Sequence, residues 1–235
     1  MADTAFAELE FSNKVVGWLR LESQVTDKLK LFNSALLIAG ERNLSSLTEA
    51  REPQRLLTQV WDNGCVNYVL EQGQWNFATR ASKLSYNSSV TPAFGLSRAF
   101  TKPSDHVRTV GFCTDEYFTS PVNYLEEQAY WYADVDDIYV RYVSNDTSYG
   151  NDLSLWPQTF TEYVAAYLCS QIIHRLTGDK TERDRVYGLA KMRLEDAKVK
   201  DALAEGTKFL QRGSWVRAKE GYSTRSNVNR NSPLP

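Results

Sequence analysis

Apolar positions recur at helical spacing in three parts of the chain and lose that spacing in the middle. Between residues 24 and 40, Val25, Leu29, Phe32, Leu36 and Ala39 form one stripe, and Gly40 stands where a C-terminal cap belongs. The polar turn Asn43-Leu44-Ser45-Ser46 separates this predicted helix from a second one opening at Pro53, a residue suited to the first turn. Leu56, Leu57, Val60, Trp61, Val69 and Leu70 supply its apolar positions, and Gly73 follows its end. A third stripe runs through Phe160, Val164, Tyr167, Leu168, Ile172 and Leu176 and stops at Gly178. Thr181-Glu182-Arg183-Asp184 then opens a last long helix to about Ala204, with Val186, Ala190, Leu194 and Ala197 as its narrow stripe. Asp196 with Lys200 is a predicted ion pair on its outer side.

The middle of the chain reads as strand. Val107–Cys113 and Ile138–Val143 are rich in β-branched and aromatic residues, and Gln128–Ala133 suits a strand better than a helix. Turn signals stand between them at Lys102-Pro103-Ser104-Asp105 and Ser120-Pro121. The expected fold is therefore mainly α, a helical bundle with an inserted small antiparallel β lobe and an extended C-terminal tail. Its parts are an N-terminal extension at 1–23, bundle segments at 24–80 and 153–205, a β-rich insertion at 81–152 and the tail at 206–235.

Charge is unevenly placed along these parts. Residues 115–137 carry seven acids and no Lys or Arg, whereas residues 206–235 carry six bases and the single acid Glu220. Such asymmetry points to charged partners rather than to a fold. The tail is too polar to bury a core and is expected to order only on a partner. No apolar run approaches the roughly 20 residues that span a bilayer, and Asp3, Glu8 and Glu10 precede the first base, Lys14, unlike the start of a signal peptide.

Chemistry is hard to find. Cys65, Cys113 and Cys169 are scattered, which suits buried apolar positions better than disulfides or a thiolate metal site. His106 follows a turn and His174 ends an apolar helix, and each reads as a surface or helix-end residue. Asp134, Asp136 and Asp137 alternate along an edge, so they read as solvated rather than as a metal cluster. Asp146-x-Ser148-x-Gly150-x-Asp152 lacks the distal glutamate of a calcium loop. No nucleophile elbow, phosphate loop or zinc motif is present. Residues 179–205 hold seven bases and seven acids, so the long helix offers no basic face for reading DNA.

Several segments, in order, carry a resemblance. They are Phe32-Asn33-Ser34-Ala35-Leu36-Leu37-Ile38-Ala39-Gly40-Glu41 with Leu44-Ser45-Ser46-Leu47, then Gly73-Gln74-Trp75-Asn76-Phe77-Ala78-Thr79-Arg80. Ile138–Val143 follows, then Trp156-Pro157 before Phe160, then Arg175-Leu176-Thr177-Gly178, and last Gly213-Ser214-Trp215-Val216-Arg217-Ala218. Together they resemble the head-to-tail adaptor family of short-tailed phages, often called tail tubular protein A. They cover roughly residues 30–220. The first 25 residues and the chain beyond Ala218 depart from that pattern.

The resemblance implies a structural virion protein and no enzyme, with no cofactor and no metal. It implies a homo-oligomeric ring of about twelve copies. That ring would join the portal protein to a tail or nozzle protein, complete the filled head and let double-stranded DNA pass without sequence-specific binding. No membrane is involved, and the place is the virion neck after assembly in the host cytoplasm. Phe209, Leu210, Arg212, Trp215, Val216, Arg217, Lys219, Tyr222 and Arg225 become the expected portal-binding residues. Trp75, Asn76 and Phe77 become structural anchors, with Asn76 expected to bond the exposed carbonyls at the end of the second helix. The alternatives are another neck component, a stopper or tail terminator, or a small nucleic-acid-binding protein.

Overall fold

In the computed structural model, which describes residues 27–93 and 95–204, the first predicted helix is present at residues 27–39 (α1). The expected N-terminal extension and the expected tail, with all nine of its portal-binding residues, lie outside the described residues. Leu31, Phe32, Ala35 and Leu36 of α1 are buried, a wider stripe than the spacing of Leu29, Phe32 and Leu36 alone predicts. Gly40 caps the helix in the left-handed region (φ 74°), with its N–H on the Leu37 carbonyl and that of Glu41 on Leu36.

The second predicted helix is broken. It begins as expected with Pro53 in its first turn (α2, Glu52–Val60), passes through a wide turn at Trp61–Cys65, and resumes as α3 (Val66–Glu71). Gly64 sits at φ 90° in that turn, a conformation its missing Cβ permits, and it offsets the two halves. The last two helices match their predicted ranges: α4 is Gln158–Thr177 and α5 is Lys180–Ala204. The cap of α5 lies two residues earlier than predicted, where the Asp179 carboxylate accepts the Thr181 N–H.

The β region is larger than a single small lobe. One sheet has the order β1 (Thr79–Ser85), β6 (Asp137–Ser144), β3 (His106–Cys113), and a second has β2 (Arg98–Thr101), β5 (Tyr130–Ala133), β4 (Leu125–Glu126). All pairings are antiparallel, with Ala81 and Gly111 both opposite Arg141 across the central strand β6. Register shifts between His106 and Arg108, and again between Thr109 and Gly111, bend β3.

These strands correct the expected fold class. Among the described residues 47% are helical and 19% lie in strands of two sheets, so the fold is mixed α and β and not a mainly helical bundle. The boundary moves as well, because β1 starts at Thr79, inside the segment assigned to the first part of the bundle.

Two apolar clusters hold the described residues together. The larger gathers Phe32, Leu36, Leu57, Leu70, Phe160, Leu168 and Val186 from the helices, with Trp75 from the stretch after α3 and Val143 from the end of β6. The smaller lies in the β region and contains Phe100, Phe112, Trp131, Ile138, Val140 and Tyr142. Strand β6 contributes to both, which explains why its last residues are buried without alternation.

Candidate functional site

The predicted anchor stretch closes the helical core at the root of the last helix. Trp75 is 1% exposed and stands edge-on to Phe160 at 4.7 Å, with Phe77 at 4.9 Å from the same ring. Its fold-back depends on Gly73, where a Cβ would come within 2.8 Å of the indole. The Trp75 Nε1–H donates to the Val69 carbonyl at 3.2 Å, so the indole adds a second, shorter donor to an acceptor at the end of α3 that the Gln72 N–H reaches at 3.4 Å. That role was expected of Asn76, and the structure gives it to its neighbour.

Asn76 fastens something else. Its backbone N–H donates to the Asp201 carboxylate (3.1 and 3.2 Å), and its Nδ2 donates to the Asp201 carbonyl at 2.8 Å. Three hydrogen bonds thus tie the stretch after α3 to the last turn of α5. A small apolar pocket of about 90 Å³, lined by Trp75, Pro157, Phe160, Ala197 and Lys200, lies beside this clamp. Trp-Asn-Phe therefore fastens α5 at Asp201. The sequence marked these residues as anchors, but Asp201 carried no signal, since its partner is 125 positions away.

The first segment of the resemblance has a comparable device. Asn33 donates to the Leu44 carbonyl at 3.1 Å and accepts its N–H at 2.7 Å, replacing a missing backbone partner for the loop after α1.

A polar network braces the first sheet at Asp105 and reaches the second through Thr109. Asp105, at the turn before β3, accepts hydrogen bonds from Arg80 (2.9 Å), Ser144 (2.6 Å) and Tyr142 (3.2 Å). Burial pushes its carboxyl up, but the hydrogen bonds from Ser144 and Arg80 outweigh that and hold it below the usual value. Thr109 Oγ1 accepts from Trp131 Nε1 at 3.0 Å and donates to Glu126 at 3.1 Å. Its only hydrogen is then committed, so towards His106 Nε2, at 3.0 Å, it can only accept. Neutral His106 is thereby fixed as the Nε2–H tautomer, edge-on to Trp131 at 5.0 Å.

His106 is not the surface histidine that its place after a turn predicts. Its side chain is 10% exposed. Burial, then nearby Lys102, lowers its pKa, against the opposing pull of Glu126 and Asp105. His174 is exposed at the end of α4, as predicted.

A pH dependence follows. In the window below the ordinary histidine value of 6.5, the unfolded chain binds a proton that folded His106 resists. Stability is fully present above that window and is lost as pH falls through the lowered folded value. Urea midpoints measured from pH 7.5 down to about 5.5 should fall, and His106→Gln should flatten that slope. Equal slopes for the two proteins would place the titration elsewhere.

The acids weighed as ligands are spent on structure. Asp134 accepts from Ser97, Asp136 pairs with Arg98 at 3.0 Å, and Asp137 holds Ser85 and Lys83. Asp146 and Asp152 accept the N–H groups of Ser148 and Ser154 in tight turns. Among the described residues, no cluster of three or more His, Cys, Asp or Glu could hold a metal ion. Cys65, Cys113 and Cys169 are free and buried, and burial pushes the Cys65 thiol up to about 12. Among the described residues, no helix is long and apolar enough to cross a membrane.

No family model matches this chain, and no curated protein matches it either. The functional reading rests on the residues themselves.

Proposed function

We propose that the chain is a structural virion subunit, an adaptor that assembles as a ring between the portal and the tail of a tailed phage. The ring would complete the DNA-filled head, continue its channel and present a docking surface for a tail or nozzle protein. Its place is the neck of the virion, reached from the host cytoplasm during assembly, and no catalytic step or cofactor belongs to the reading. What supports it is the ordered set of segments resembling the tail tubular protein A family.

The observation that carries most weight is the clamp of Asn76 on Asp201. The most specific of those segments is spent on fastening α5 at Asp201, a few residues before the basic sequence 206–235. A stopper or tail terminator would favour strand over helix, and here helix exceeds strand among the described residues. A nucleic-acid-binding protein would need a basic face, which the charge-balanced α5 does not offer.

The test is truncation after Glu205. The shortened protein should remain soluble, melt normally and fail to bind portal in a sedimentation or pull-down assay. Trp215→Ala alone should weaken portal binding by at least about 2 kcal/mol, as expected for a buried aromatic anchor. Unchanged portal affinity after truncation would move the interface to the folded body.

A further inference from the structure

Helix α5 is apolar on two opposite sides. Val186, Ala190 and Ala197 are buried against the body, while Met192, Val199 and Leu203 are 58%, 57% and 73% exposed. Met192 and Val199 are seven residues apart, and Leu203 is four further on, so the three align in one outward ridge. A surface helix needs only one apolar stripe, and a second marks a face made for a partner. Asp196 lies in the middle of this ridge, exposed and in none of the ion pairs of the described residues. The predicted pair with Lys200 does not form. Covering that carboxylate with an apolar surface alone would be costly, so the partner must bring a base.

A matching surface exists on α1. Lys30 and Leu37 are both exposed, Leu37 at 74%, and they stand seven residues apart, as do Asp196 and Leu203. Two parallel helices in that register set Lys30 against Asp196 and Leu37 against Leu203. Lys30 holds its own neighbour Asp27 only at 3.4 Å, on a side chain 72% exposed, a pair of little worth to give up. Beside Lys30 an open cleft of about 500 Å³, with Ser34, Trp156 and Gln158 in its walls, leaves room for ridge side chains.

We propose that the outer ridge of α5 in one copy docks along α1 of a second copy, Asp196 pairing with Lys30 and Leu203 packing on Leu37. When each copy offers its ridge to one neighbour and its α1 to another, the contact is heterologous and propagates around a ring or along a filament, whereas a reciprocal exchange between two copies would stop at a dimer. This inference rests on the ring reading and names its interface.

Sedimentation equilibrium of the full-length protein at about 0.1–1 mM tests it. Wild type should form species larger than a dimer. Lys30→Glu and Asp196→Lys should each weaken association by about fivefold or more, and the two together should recover most of that loss. Val199→Asp should abolish it. All these positions are exposed, so the variants should melt like wild type. Association that none of the variants alters overturns this interface and leaves the ring reading standing. Association that stops at a dimer overturns the heterologous geometry and counts against the ring. A wild type that stays monomeric throughout overturns the interface, and the portal assay on the truncated chain then decides the ring reading separately.

Discussion

Trp75→Ala should destabilise the protein by about 3–5 kcal/mol, the largest effect expected of any single side-chain truncation here. The residue is almost wholly buried, in edge contact with Phe160, and its removal opens a void beneath the end of α5. A second loss adds to the first, because the Val69 carbonyl loses its shorter donor and keeps only the Gln72 N–H at 3.4 Å. Trp75→Phe separates the two. It keeps most of the packing and should cost about 0.5–1.5 kcal/mol for the lost hydrogen bond, plus a small packing term. Urea melts with unchanged m-values measure both. A Trp75→Ala cost below about 1 kcal/mol would mean that the surrounding core does not depend on the ring.

The helices were legible because their information is local. Leu29, Phe32, Leu36 and Ala39 repeat at the helical period, Pro53 opens α2, and Gly40 and Gly178 close α1 and α4. The break at Gly64 and the cap of α5 at Asp179 were missed. A glycine inside an apolar pattern signals a weak point, but nothing local says that it will take the positive φ that breaks this helix.

The strands split by burial. β3, β5 and β6 carry buried aromatic and β-branched residues, so their composition declared them. β1, with the sequence Thr-Arg-Ala-Ser-Lys-Leu-Ser, is a half-exposed edge, β2 has four residues and β4 has two. Such short or polar edges form because a central strand offers them a partner, and nothing within them says so. Missing three strands is what made the chain read as mainly helical.

The candidate site was half legible for the same reason. Trp75 and Phe77 announce themselves as large apolar residues after a helix end, and both pack as anchors. The clamp from Asn76 to Asp201 and the Thr109 hub that fixes His106 are long-range polar geometry. Polar partners far apart in sequence have no periodicity to betray them.

Gly150→Ala should destabilise by about 1–3 kcal/mol, although the change adds a single methyl group. A Cβ at this position would collide with the Ser144 carbonyl oxygen and come within 2.7 Å of Leu70 Cδ1. Backbone cannot yield as a flexible side-chain end can. The Gly150 N–H donates to that same Ser144 carbonyl at 3.1 Å, and the Gly150 carbonyl accepts the Trp156 Nε1–H at 2.9 Å. Ser144 in turn holds Asp105, so a shift of the turn reaches both the Asp105 network of the first sheet and the aromatic core. Gly188→Ala is the matched control. Gly188 lies within α5 with nothing inside 4 Å of an added Cβ, so alanine there should stabilise by about 0.5–1 kcal/mol through helix propensity and lower unfolded-state entropy. Opposite signs for the two substitutions in urea melts are the expected result. A Gly150→Ala protein as stable as wild type would show that the 144–150 turn can move without cost, and the close approach of its backbone would then have no part in holding the sheets to the helices.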